Sequence, residues 1–156
     1  MIYVIDHKDS FTHNVVHQLS LFDEVECDNY NNVDKIKLNK AKVIVFSPGP
    51  GNPKNYPLTS KIYNQFKGKK KIIGICLGFQ QILFCEGAQI VEQNKIYHGY
   101  QSNIKVNSKN SLFKKNQIFK VGRYHSLKLK EPFKIRNFEI TMRSVSYTHL
   151  TLPTKA

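Results

Sequence analysis

Lys71-Ile72-Ile73-Gly74-Ile75-Cys76-Leu77-Gly78-Phe79-Gln80-Gln81-Ile82-Leu83 decides how this chain is read. Residues 71–75 are β-rich and apolar, and Gly78 to Glu86 continues with helical character. Between strand and helix stands Gly74-Ile75-Cys76-Leu77-Gly78, a G-x-C-x-G pattern that is the thiol counterpart of the G-x-S-x-G nucleophile elbow. Glycines two residues either side of Cys76 permit a tight turn that a Cβ would obstruct. Such a turn lifts the sulfur above the sheet and sets it at a helix N-terminus, where the dipole and free N–H groups favour thiolate. The N–H of Leu77 is then placed to stabilise an oxyanion. Taken alone, the five residues also fit a buried cysteine in an ordinary βα turn.

Working outward, Ala41 to Phe46 is nearly continuous in apolar residues, as for a strand covered on both faces. Ser47-Pro48-Gly49-Pro50-Gly51-Asn52-Pro53 then breaks all regular structure. Its prolines fix the path of the chain, and its glycines let a ligand approach the main chain. Gly49, Pro50 and Gly51 are candidate substrate-binding residues, with the Gly51 N–H a second oxyanion donor beside Leu77. Without a neighbouring nucleophile the same loop reads as a rigid connection. Nearer the N-terminus, Ile2 to Ile5 is a short strand ending at Asp6, Ser10 to Leu21 has helical spacing, and Glu24 to Cys27 reads as another strand. Leu58 to Phe66 reads as a helix.

Strands alternating with helices imply βαβ units. The expected fold is α/β: a flavodoxin-like, doubly wound, mainly parallel sheet, with 1–5, 41–46 and 71–75 as buried strands. In such sheets ligands bind beyond the carboxyl ends of the strands, where Asp6, the Ser47–Pro53 loop and Cys76 all fall. From Ala88 the pattern changes to short β-like pieces (88–91, 102–106, 118–121 and 138–142), which suggest a small antiparallel extension.

The bulk properties exclude several classes. A chain of 156 residues, 40% hydrophobic and 22% charged, can bury a real core and is too apolar to be disordered. No apolar run approaches the roughly 20 residues needed to cross a bilayer. Asp6, Lys8 and Asp9 interrupt the first apolar stretch, unlike a secretory leader, so the expected location is cytoplasmic, away from membranes. The net charge of +13 invites a nucleic-acid reading. The lysines are nevertheless dispersed, and the densest run, Lys67 to Lys71, lacks the alternating aromatics of a single-strand binder. No nucleic-acid partner is expected. Cys27, Cys76 and Cys85 lack metal-ligand spacing and read as free thiols, so no metal is expected. His7, His13 and His17 read as surface or packing residues.

Ser47-Pro48-Gly49-Pro50-Gly51, Gly74-Ile75-Cys76-Leu77-Gly78-Phe79-Gln80 and Arg123-Tyr124-His125-Ser126-Leu127 occur in order, with Asp6-x-x-Asp9-Ser10-Phe11-Thr12 ahead of them. Together they resemble the class I (triad-type) glutamine amidotransferases, and within them the small subunits of anthranilate synthase and aminodeoxychorismate (para-aminobenzoate) synthase. The resemblance spans Met1 to about Arg143. It implies that Cys76 forms a glutamyl thioester with L-glutamine and releases ammonia, with Gly51 and Leu77 as oxyanion donors. It implies that Gln80, Ser126 and Leu127 hold the glutamine, with Tyr97-His98-Gly99 near its pocket. It also implies a chorismate-utilising large subunit (component I) as partner, and no cofactor.

Two departures qualify the resemblance. Phe79 stands where many relatives carry histidine, but that position is not the catalytic base. More seriously, the family's His and Glu lie in an F-H-P-E type segment, and nothing of that kind follows Met142. Residues 1–143 are therefore expected to form an amidotransferase domain incomplete at its C-terminus, with 144–156 an atypical tail. Without covering strands, the apolar surface around Phe138 and Ile140 is expected to be exposed. His149 lacks the surrounding motif, and His125 belongs to the substrate-contact segment. The alternative to a working glutaminase is a partner-binding module impaired in catalysis.

Overall fold

In the computed structural model, which describes residues 1–133 and 138–144, the chain divides into two compact units, Met1–Gly87 and Ala88–Ala156. The first alternates strand and helix: β1 (Ile2–Asp6), α1 (Thr12–Ser20), β2 (Val25–Asn29), α2 (Lys35–Lys40), β3 (Val43–Phe46), α3 (Pro57–Phe66), β4 (Lys71–Gly74) and α4 (Leu77–Cys85). A short 3₁₀ turn at Pro53–Asn55 precedes α3. The four strands form one parallel sheet in the order β2-β1-β3-β4. That order is the flavodoxin-like, doubly wound arrangement expected.

β1 and β3 are central, paired from Ile2↔Val43 to Ile5↔Phe46. Tyr3, Val4, Ile5, Ile44, Val45 and Phe46 are fully buried. Their nearly unbroken apolar sequence is what covering on both faces requires. On one side Val4 and Val45 meet Val15, Val16 and Leu19 of α1. The Tyr3 hydroxyl donates to Asp28 on β2 at 2.5 Å and accepts the Asp34 N–H at 2.9 Å, so one buried ring joins β1, β2 and the start of α2. α2 was not legible as an element. Its signal is the Asp34 carboxylate, which caps the N–H groups of Ile36 and Lys37.

β4 departs from expectation. It pairs with β3 alone, and Lys71 and Ile73 are exposed, Ile73 to 46%. The strand is an edge strand among the described residues, and an apolar run by itself does not distinguish an edge from a centre. Its carboxyl end is still firmly held, since Gly74 is buried and the Ile75 N–H bonds the Phe46 carbonyl at 3.0 Å.

The second unit is antiparallel, as expected, but two of its strands are long, β5 (Ile90–Val106) and β6 (Ile118–Leu129), with a short β7 (Met142–Ser144), in the order β6-β5-β7. Register shifts between Glu92 and Tyr97 and between His98 and Tyr100 interrupt the alternation. One strand of 17 residues therefore reads in the sequence as separate fragments. Ile104, Val106 and Met142 form its core, with Phe119 and Val121 packed against them. Phe138 and Ile140 are half-buried rather than exposed. No helix among the described residues is long and apolar enough to cross a membrane.

The contrast between centre and edge is measurable in urea. Ile44→Ala, at a site with no exposed surface, should destabilise the chain by roughly 2–5 kcal/mol. Ile73→Ala, at the open edge, should cost less than about 1 kcal/mol.

Candidate active site

Cys76 lies between β4 and α4 with φ 54° and ψ −109°. A residue bearing a Cβ rarely adopts this conformation, and holding it costs about 1–3 kcal/mol unless the surroundings enforce it. Here they do. A Cβ on Gly74 would lie 2.5 Å from the carbonyl of Gly78, and one on Gly78 would lie 2.2 Å from the Phe46 oxygen. The two glycines therefore let the strand, the turn and the first turn of α4 meet backbone to backbone. The Gly78 N–H bonds the carbonyls of Ser47 and Ile75 at 3.2 and 3.0 Å, and the Gln80 N–H bonds that of Cys76 at 3.1 Å. Such an enforced turn is the geometry of a nucleophile elbow.

The electrostatics at the sulfur differ from the expectation of a favoured thiolate. Burial pushes the Cys76 thiol above its ordinary value, and the Asp9 carboxylate adds to the rise. The Leu77 N–H bonds the sulfur and pulls the other way without prevailing. The elbow therefore supplies position, and a base has to supply the thiolate. Within Met1–Gly87 none of His7, His13 or His17 bonds the thiol.

The loop after β3 begins against this elbow. Ser47 is buried, its carbonyl bonded to the Gly78 N–H. A Cβ on Gly49 would come within 2.5 Å of both Leu77 Cδ2 and His7 Cβ, so the loop backbone is seated directly on the first residue of α4. Pro50 offers its carbonyl to the Tyr56 hydroxyl at 2.7 Å. Gly51 has φ +77°, and the Asn52–Asn55 capping box closes the loop into the 3₁₀ turn. Asp6, at the end of β1, accepts the Thr12 hydroxyl at 2.7 Å and the Lys8 N–H at 2.9 Å. Cys76, Leu77, Gln80, Gly49, Pro50 and Gly51 are thus all carried by the carboxyl edge of one parallel sheet, with Leu77 and Gln80 buried.

Ser126 and Leu127 are carried by β6 of the second unit. Ser126 is exposed, and the Leu127 carbonyl accepts the Gln93 side-chain N–H at 2.9 Å. Burial, with Arg123 adding to it, holds His125 below its ordinary value. Gly99 has φ +75°, while the side chains of Tyr97 and His98, and all of His149, lie outside the described residues. All three cysteines are free, and Cys27 is pushed up to about 11 by burial, with Asp6 and Asp28 adding to it. Among the described residues no cluster of His, Cys, Asp and Glu side chains is arranged to hold a metal ion.

The family model for glutamine amidotransferase class-I matches residues 3–151. The chain belongs to the class-I glutamine amidotransferase family. It is 36% identical over 149 residues to anthranilate synthase component 2 of Lactococcus lactis, covering 90% of this chain and 72% of that protein. It is 35% identical over 148 residues to aminodeoxychorismate synthase component 2 of Klebsiella aerogenes, covering 92% of this chain and 79% of that protein. A solved glutamine amidotransferase from Thermotoga maritima superposes with a TM-score of 0.71 over 95% of this chain and 68% of that one, at 16% identity. At that identity the superposition speaks to the fold, which is that of this amidotransferase family.

Because burial raises the Cys76 thiol, its deprotonated fraction grows only at higher pH than for an ordinary thiol. Alkylation of Cys76 by iodoacetamide, followed by peptide mass spectrometry, should rise with a midpoint at higher pH than that of a free cysteine peptide measured alongside. A midpoint below that of the free peptide would show that the helix N-terminus outweighs burial.

Proposed function

We propose that this amidotransferase chain is a cytoplasmic glutaminase subunit that releases ammonia from L-glutamine for a chorismate-aminating synthase partner. The observation that carries the reading is Cys76 held at φ 54° on an elbow against a glycine-rich loop. A base removes the proton from Sγ, and the sulfur attacks the side-chain amide carbon of glutamine. Negative charge developing on the amide oxygen is met by the N–H groups of Leu77 and Gly51. Collapse of this intermediate, with a proton delivered to nitrogen, expels ammonia and leaves a γ-glutamyl thioester on Cys76. Water then hydrolyses the thioester, giving glutamate and restoring the thiol. Gln80 holds the substrate, with Gly49 and Pro50 lining its approach, and residues 1–143 form the amidotransferase domain.

Support for this partner comes from the relatives, which are named as component 2 of anthranilate synthase and of aminodeoxychorismate synthase. Either product fits this reading, because the amination chemistry belongs to the large subunit. A second reading is favoured by the raised thiol and the lack of a bonded histidine in the first unit. In it, the chain binds the synthase without turning glutamine over.

The two readings separate in the complex with a chorismate-using synthase subunit. Cys76→Ser should lower glutamine-dependent product formation by roughly 10³-fold or more and leave ammonia-dependent formation intact. Loss of both activities would make Cys76 structural. A wild-type complex that assembles but uses only ammonia would favour the binding module.

A further inference from the structure

Among the described residues, His7 is a fully buried titratable group that this chemistry does not use. It follows Asp6 at the carboxyl end of β1 and has no exposed surface. Its ring is enclosed by Tyr30, stacked at 5.9 Å, and Tyr56, edge-on at 4.9 Å, with Phe46 beyond at 6.4 Å. Its backbone N–H donates to Ser47 Oγ at 2.9 Å, its Nδ1 lies 3.2 Å from the same oxygen, and its Nε2 lies 3.0 Å from Thr59 Oγ1.

The hydrogen-bond inventory assigns these roles. Ser47 Oγ has one proton, and it is donated to the Pro48 carbonyl at 2.6 Å. Ser47 Oγ can then only accept from the ring, so Nδ1 carries the imidazole proton. Nε2 is left as an acceptor, and the Thr59 hydroxyl on α3 donates to it. The arrangement needs a neutral ring. Burial keeps it neutral, pushing His7 down to about 4 against the opposing Ser47 hydrogen bond and the Asp6 carboxylate.

His7 thereby joins three elements at the root of the glycine-rich loop: β1, the end of β3 and α3. Its Cβ side faces Gly49, which also rests on Leu77. Tyr56, packed edge-on to the same ring, holds the Pro50 carbonyl. Two straps therefore fix residues 47–50 from one aromatic cage. We infer that His7 is a positioning residue, which fixes the Ser47–Gly51 loop through Ser47 and Thr59 so that the loop presents its main chain to the substrate carbonyl. The inference rests on the proposed glutaminase reading, in which that loop supplies an oxyanion donor.

Covalent labelling of the intact chain tests it. A chloroketone analogue of glutamine places a carbonyl where the loop acts, whereas iodoacetamide reacts with Cys76 without an oxyanion. His7→Phe keeps the aromatic packing and loses both ring hydrogen bonds. It should slow chloroketone labelling of Cys76 by roughly tenfold to a hundredfold and leave iodoacetamide labelling of Cys76 unchanged. His7→Asn, whose amide N–H can replace Nδ1, should recover most of the rate. Ser47→Ala, which removes the hydroxyl that accepts from the His7 backbone and ring and donates to the Pro48 carbonyl, should slow chloroketone labelling at least as much as His7→Phe and serves if that variant does not fold. Unchanged chloroketone rates in the variants, or equal slowing of both reagents, would overturn the positioning role. A wild-type chain in which the chloroketone labels Cys27 or Cys85 as fast as Cys76 would instead defeat the glutaminase reading beneath it.

Discussion

Everything at the candidate site depends on the backbone contact among Gly74, Gly78 and Phe46. The contact leaves no room for a Cβ on either glycine. It brings α4 down onto the end of β3, and the chain between β4 and α4 can close only by forcing Cys76 to φ 54°. The cost of that conformation is met by the hydrogen bonds Ile75 N–H to Phe46 O and Gly78 N–H to Ser47 O, together with the burial of Leu77. Those bonds also fix where the next loop starts. Gly49 can lie on Leu77 because Ser47 is already tied to Gly78. Cys76 and the loop are therefore one mechanical unit.

The same burial that holds the sulfur works against its ionisation. Desolvation raises the thiol, and the single Leu77 N–H offsets only part of the rise. A buried thiol above its ordinary value ionises less readily at neutral pH than an exposed one. Strain at Cys76 and desolvation of its sulfur thus have one structural origin, the enforced turn between β4 and α4.

Much of this was legible in the residues. The five-residue elbow, the proline-glycine loop and the apolar runs of β1 and β3 gave the parallel sheet and the edge on which the site lies. They did so because each pattern answers a steric or burial demand local to it. Other features depend on what packs against what. Ile73 looks like a core residue and is half-exposed, since a run of apolar residues does not say that β4 lies at an edge. β5 looks like fragments because its register shifts break the alternation. α2 is announced only by the Asp34 cap. His7 reads as a surface or packing residue, and the structure buries it completely. Its link to Ser47 and Thr59 joins residues 40 and 52 positions away, and no local pattern carries that.

In the proposed reaction, glutamine is opened at Cys76 Sγ. The direct measurement is mass spectrometry of the chain, bound to a chorismate-using synthase subunit, quenched in acid during turnover of glutamine labelled with ¹³C in its carbon chain. A labelled γ-glutamyl adduct is expected on the peptide carrying Cys76 and none on those carrying Cys27 or Cys85. Ammonia released during turnover with no adduct on Cys76, or with the adduct on another residue, would contradict it.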